Sequence, residues 1–236
     1  QIMNLYKVAM WFPDEAIRMC AKFALFVTVA CVRHRHLERS GELTVDGTMI
    51  EFLVEKGKRR VKGNRPGFGV TMPVDWAEGD RLSIAVAVMI TKVTDVHGGG
   101  FGIVPDAKIG RRADWSSPRF VGRPMSRAKF IAMSKAALSV AGAAAAWITF
   151  NSHRRVMPTL GNCHNVDDTD AQALSNWQDV SLGAFAPKTR GRAQFPMARR
   201  YAHGTQLRAG LVKKALLWLF MQAYTDHVRS NASKHD

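Results

Sequence analysis

The sequence predicts an α+β fold, mostly α-helical, with a small antiparallel β-sheet or hairpin near the N-terminus. Three observations carry this. Residues 14–31 are dominated by apolar side chains behind a Pro13-Asp14-Glu15 start, which marks a buried helix. Residues 42–63 alternate β-branched and apolar residues around Asp46-Gly47, a tight-turn pair, with a second turn at Lys56-Gly57-Lys58. From Thr205 onward the chain reads as one long amphipathic helix, with Leu207, Leu211, Ala215, Trp218 and Gln222 at three- and four-residue steps.

The chain has 236 residues, 47% of them hydrophobic, enough to bury a sizeable core and too apolar for a disordered tail. We expect a single domain over 1–236. SIAVAVMI (83–90) is too short to span a bilayer and AALSVAGAAAAW (136–147) is interrupted by glycine, so no membrane partner is expected. No signal-peptide pattern is visible, and a start at Gln1 reads as a fragment or processed product. Cys20, Cys31 and Cys163 are odd in number and far apart, which implies a reducing compartment and no zinc knuckle. Lys and Arg outnumber Asp and Glu by 34 to 19, a net charge of +15 that favours polyanions. A ribosome-associated protein or a merely basic soluble domain fits that balance equally.

Between these anchors the elements follow in order. VRHRHLERS (32–40) is a dense basic patch at the end of the first helix, where cations gain from the helix dipole. Residues 65–79 read as a loop, and DRLSIAVAVMITKVT (80–94) as a helix with a capping aspartate. HGGGFG (97–102) lacks the lysine and Ser/Thr of a phosphate loop and reads as a flexible connection. RRADWSSPRFVGRP (111–124) is a basic loop carrying Trp115 and Phe120, suited to lying on DNA or to anchoring a surface loop. Residues 126–145 form a helix behind Ser126. The next helix begins at a cap on Asn151 or Ser152, with Arg154 and Arg155 in its first turn and Pro158 near its start. Residues 167–176 form a short acidic-capped helix ending at Trp177, followed by a Gly/Pro/Arg-rich loop before Tyr201.

Residues 147–201 hold the chemistry. Arginine forks hold a phosphate while charge builds on it. A tyrosine hydroxyl among cations can attack one. Tyr201 stands in MARRYAH, directly after Arg199 and Arg200. A phosphate at the N-terminus of the arginine-bearing helix gains from its dipole as well. The histidines show no metal spacing, and no serine-hydrolase elbow is present, so no cofactor and no metal are expected.

NSHRRVMPTL resembles the His-x-x-Arg segment of the tyrosine recombinase (phage integrase) family, ALSNWQD its His/Trp segment, and MARRYAH its nucleophile segment. RHRHL resembles the segment carrying the family's first arginine, and EKGKRRVKG its lysine-bearing hairpin. The resemblance implies the catalytic domain of a DNA strand transferase, lacking or truncated in its DNA-clamping N-terminal domain. Tyr201 would attack a backbone phosphate to form a 3′-phosphotyrosine link. Arg33 and Arg154 would stabilise the transition state, Trp177 would hydrogen-bond a nonbridging oxygen, and Lys56, with Lys58 as runner-up, would be the general acid. Asn151 falls where the family has histidine; asparagine hydrogen-bonds but transfers no proton. Arg35, Lys58, Arg59, Arg155 and Arg200 would contact DNA. The implied setting is intracellular, with double-stranded DNA (the nucleus in a eukaryote, the cytoplasm in a bacterium), in recombination or integration of mobile elements. The implied C-terminal helix docks on a second copy; intramolecular packing is the alternative. A catalytically degenerate DNA-binding relative is the second functional reading.

Overall fold

The computed structural model describes residues 2–33, 36, 40–56, 66–87, 126–142, 149–167, 170, 174 and 203–232. Among these, five helices, a shorter helical run over 82–87 and a three-stranded antiparallel sheet make an α+β arrangement that is mostly helical. The helices are α1 (Ile2–Trp11), α2 (Glu15–Ala30), α3 (Arg127–Val140), α4 (Phe150–Cys163) and α5 (His203–Ala232). The strands are β1 (Ser40–Asp46), β2 (Met49–Lys56) and β3 (Pro66–Pro73), in that spatial order.

Helix α2 is the centre. Asp14 caps it by accepting from Ile17 N–H at 2.9 Å, which satisfies one of the donors every helix start leaves open. Every residue from Phe23 to Val32 is buried. Helices α1, α3 and α4 and strand β3 all pack against it. A run of rings crosses this core: Phe52 on β2 stacks on Phe26 at 6.2 Å, Phe26 on Phe23 at 6.2 Å, and Phe23 meets Phe130 of α3 edge-on at 5.5 Å. Offset and edge-on geometries suit the ring quadrupoles, so the run gains beyond its buried area.

Helix α1 was not anticipated, although Ile2, Leu5, Tyr6 and Ala9 recur at helical steps. It buries Leu5, Tyr6, Val8 and Ala9, and its Tyr6 hydroxyl donates to Asp80 Oδ2 at 2.9 Å. Asp80 also accepts from the backbone N–H groups of Trp76, Ala77 and Leu82. It therefore serves the start of the helical residues 82–87 as expected, but from one position early: Ala85 N–H bonds Arg81 O, which makes Arg81 the cap. The remainder of the helix predicted to 94 lies outside the described residues.

The hairpin forms, with one adjustment. Asp46 pairs with Met49, so the two-residue loop is Gly47-Thr48, and Gly47 takes φ +53, open to glycine without a Cβ penalty. The loop expected over 65–79 is a correction. Residues 66–73 are strand β3, antiparallel to β2 from Met49↔Pro73 to Lys56↔Pro66. Phe68, Val70 and Met72 alternate along it, and the prolines sit at the ends of an edge strand, where a missing N–H is tolerated.

Helix α4 needs three corrections. Its N-cap is Thr149, not Asn151 or Ser152, and Ser152 Oγ accepts from Thr149 N–H at 3.1 Å. Arg154 and Arg155 are therefore its fifth and sixth residues, in the second turn. Pro158 lies inside the helix rather than at its start. Helix α3 ends before Gly142, whose φ of +68 closes it in the left-handed region.

Helix α5 crosses β3 closely. A Cβ on Gly210 would stand 2.8 Å from Thr71 Cγ2 and 3.2 Å from Met49 Sδ. The residues it buries are Ala209, Gly210, Lys213, Leu216 and Leu217. Of the two placements expected for the stripe, intramolecular packing is not the one seen: Leu207, Leu211, Ala215, Trp218 and Gln222 are all exposed, Trp218 by 60%. Both sides of the helix carry apolar residues, so periodicity alone could not choose between them. No helix among the described residues is long and apolar enough to cross a membrane.

Gly210→Ala tests the helix–strand crossing. Helix propensity alone would make it favourable, but a methyl at 2.8 Å must push α5 off β3. The expected result is a net loss of about 1–2 kcal/mol, read as a lower urea midpoint with unchanged slope.

Candidate functional site

The site is built at the C-terminal end of α2. Cys31 closes that helix in the left-handed conformation (φ 57), with its N–H on Val27 O at 3.1 Å. A non-glycine residue there costs about 1 kcal/mol, which the surrounding core must hold. The thiol donates to Thr28 O at 3.4 Å, and burial pushes its pKa up to about 11. It is a protonated packing group, not a nucleophile. Two residues on, Arg33 emerges half-buried. His36 staples the exit: its Nδ1 accepts from Arg33 N–H at 3.3 Å and its own N–H donates to Arg33 O at 2.8 Å. Ser40 Oγ, at the start of β1, donates to His36 O at 2.7 Å.

Arg154 approaches from α4. Its Nε donates to Cys31 O at 3.3 Å, so α4 is tied to the last turn of α2 by the arginine itself. Burial, and then the nearby charge of Arg33, hold the Arg154 guanidinium down at about 10. Two residues 121 positions apart in the chain, counted from 33 to 154, thus present like charges to one another at a partly buried point. Two like charges at a partly buried point favour an anion close by. Planar guanidinium forks match the oxygens of a phosphate or sulfate.

The other predicted residues divide by position. Asn151 is exposed in the first turn of α4. Arg155 is exposed one residue beyond Arg154, a step that turns it to another side of the helix. Lys56 is the last residue of β2, paired with Pro66, so it stands where the strand gives way to the 57–65 connection. Arg35, Lys58, Arg59, Trp177, Arg200 and Tyr201 lie outside the described residues. Their flanking anchors are described. Asp167 Oδ1 accepts from Asp170 N–H at 3.0 Å, an acidic start to the segment that leads to Trp177. Arg208 of α5 forks onto Asp170, Nε to Oδ1 at 2.6 Å and Nη2 to Oδ2 at 2.9 Å. This joins the segment before Trp177 to the helix that follows Tyr201.

His153, two residues from Asn151, faces the core. It is 5% exposed, its Nδ1 lies 3.2 Å from Thr28 Oγ1, and its ring meets Phe130 edge-on at 5.8 Å. The Thr28 hydroxyl gives its proton to Ala24 O at 2.8 Å, leaving its oxygen to accept from His153. Burial pushes the His153 pKa down to about 4.

One residue was missed entirely. Lys213 of α5 is 1% exposed, and its Nζ donates to Thr71 O of β3 at 2.9 Å. Its charge and that of Arg154 both act on the Cys31 thiol. The signal was in the sequence: Lys213 falls at helical steps with Ala209, Leu216, Leu217 and Phe220, a lone cation in an apolar stripe. Among the described residues no cluster of His, Cys, Asp and Glu is arranged to hold a metal ion.

Comparison of the chain with protein-family models, curated proteins and solved structures returned no match.

The buried His153 makes acid stability a test of this packing. Its folded pKa is about 4 and its ordinary value 6.5, so it is neutral in both states above that value and the fold keeps its full stability there. Stability then falls as the pH drops from 6.5 through 4, because the unfolded chain takes the proton first. At pH 4.5 the loss from this group is about 2–3 kcal/mol relative to neutral pH. His153→Gln should remove that increment from the difference between urea midpoints at pH 7.5 and 4.5, although it starts from a less stable fold.

Proposed function

We propose that this protein cleaves and rejoins DNA strands through a 3′-phosphotyrosine intermediate, in the manner of a tyrosine recombinase. The observation that carries the reading is the bond from Arg154 Nε to Cys31 O at 3.3 Å, which brings the arginine of α4 to the stretch of chain two residues before Arg33. The order of the motifs supports it further: a basic exit from a buried helix, a lysine at the end of β2 in a three-stranded antiparallel sheet, an arginine-bearing helix, and a tyrosine two residues before a long C-terminal helix. In this reading the arginines hold the scissile phosphate and stabilise the crowded phosphorane as negative charge builds. The Tyr201 hydroxyl gives its proton to solvent as its oxygen attacks phosphorus, the bond to the 5′-oxygen breaks, and Lys56 protonates that leaving oxygen. Trp177 donates its indole N–H to a nonbridging oxygen. The net charge of +15 suits a partner as anionic as double-stranded DNA. The exposed Leu207, Leu211 and Trp218 on α5 suit docking of a second copy on that DNA.

Asn151 favours a second reading, DNA binding without cleavage. It is exposed in the first turn of α4 and has no proton to transfer. The two readings part on a nicked suicide substrate. An active enzyme yields a covalent protein–DNA adduct without added metal, which Tyr201→Phe abolishes while duplex binding persists. An adduct that survives in Tyr201→Phe refutes Tyr201 as nucleophile. No adduct in either the parent or Asn151→His selects binding alone. Asn151→His should raise the trapping rate, since imidazole restores a proton-transfer group beside the phosphate.

Binding itself has a separate signature. Duplex affinity should fall steeply and log-linearly with salt, because the contacts are to phosphates. Arg154→Ala should slow adduct formation by about a hundredfold or more while weakening binding far less. Salt-independent affinity, measured by fluorescence anisotropy, would rule out a nucleic-acid role.

A further inference from the structure

Helix α4 buries one side, with His153, Met157 and Gly161 at four-residue steps. On the opposite side Arg155, Thr159 and Asn162 are exposed, at steps of four and three that place them on one face. Among the described residues neither the Arg155 guanidinium nor the Asn162 amide takes part in a hydrogen bond or ion pair. Thr159 turns its hydroxyl back on the helix, donating to Arg155 O at 2.8 Å, so its methyl group is what it has left to present. A helix face kept only for water usually carries Lys and Glu, and α4 has no Asp, Glu or Lys between Phe150 and Cys163. Threonine and asparagine are among the poorer helix formers, so solvation is a weak reason for them here. Their shared chemistry is that of base edges. A guanidinium fork matches O6 and N7 of guanine, a carboxamide matches N6 and N7 of adenine, and a threonine methyl packs on the methyl of thymine.

We propose that α4 is a sequence-reading helix, which lays Arg155, Thr159 and Asn162 against base edges in the major groove of duplex DNA. The inference rests on the reading of duplex DNA as the partner, but not on strand cleavage. Charge favours that occupant: Lys and Arg outnumber Asp and Glu by 34 to 19 over the chain, and this helix adds only guanidinium charges, from Arg154 and Arg155. Size favours it too, since the major groove admits an α-helix. The rise from Arg155 to Asn162 is about 10 Å, the length of about three base-pair steps. Arg154 stays off this face, because its Nε bonds Cys31 O at 3.3 Å. One side of α4 thus addresses the helix end from which Arg33 leaves, and the next side is left for the bases. That division suits a duplex, where phosphate contacts fix register and base contacts specify sequence.

The test uses the full chain and a pool of duplexes with a randomised centre, selected by binding and then sequenced. The parent should enrich a short motif of about three base pairs that includes a guanine. Arg155→Lys keeps the charge and loses the fork, so it should erase roughly tenfold discrimination at that guanine while affinity for unselected duplex falls far less. Thr159→Ser keeps the hydroxyl bond to Arg155 O and loses only the methyl, so it should relax one position at which the parent prefers thymine. Both positions are exposed, and an unchanged urea midpoint shows that the fold is intact in each variant. A parent that enriches no motif overturns the proposal. So does a guanine preference that survives in Arg155→Lys, since a lysine contact to phosphate carries no sequence information. A parent that binds no duplex at all removes the DNA reading and this inference with it. A covalent adduct formed without base preference sinks this inference alone, and a motif without any adduct sinks strand cleavage alone.

Discussion

The burial of α2 is the constraint on which the rest depends. A helix so thoroughly enclosed that Phe23 to Val32 are all buried can have only one place in the molecule, between the sheet and the other helices. Its final turn is then a fixed object, and the site is assembled on it. Cys31 holds the left-handed closure, its carbonyl receives Arg154, and Arg33 leaves two residues later. An interior packed to crystal-like density transmits position with little slack, so the two arginines inherit their separation from the core. The rings from Phe52 to His153 are one continuous part of that core, linking sheet, α2, α3 and α4.

The polar interior is arranged around the same helix. Thr28 serves both its own chain, through Ala24 O, and α4, through His153. His36 and Ser40 bond the backbone that carries Arg33 into β1. These contacts are short in sequence or cross between elements already in contact, so they add geometry more than they add energy. Repulsion between Arg33 and Arg154 is the counterweight. Keeping two like charges close at a partly buried point costs free energy that the packing around them must offset.

Helix α5 stands apart in kind. Its hold on the fold is through β3, by the Gly210 crossing and the Lys213 bond, and through the Arg208 fork on Asp170. Farther along, Lys7 of α1 sits 5.3 Å from the Tyr224 ring, and residues 226–230 beyond it are exposed. One helix thereby touches the sheet, the segment leading to Trp177 and α1, while beginning two residues after Tyr201.

Much was legible in the residues themselves. The buried helix after Asp14, the hairpin around Gly47 and the long C-terminal helix follow from period, caps and turn chemistry, which act over a few residues and are written locally. Arg33 and Arg154 were named by their neighbours in sequence. Other features were not local. Strand β3 hid behind Pro66, Gly67, Gly69 and Pro73, because only its pairing with β2 makes an edge strand of them. The outward turn of Leu207, Leu211 and Trp218 could not be read from a helix apolar on both sides, since the choice belongs to the surface it packs on. Lys213 shares a stripe with Ala209, Leu216 and Leu217, but its bond to Thr71 O depends on where β3 lies. Sequence determined which segments would be helix or strand and which residue types were at hand; tertiary structure alone decided which cations would meet, because charge proximity across 121 residues, 154 minus 33, depends on how elements pack and not on their order.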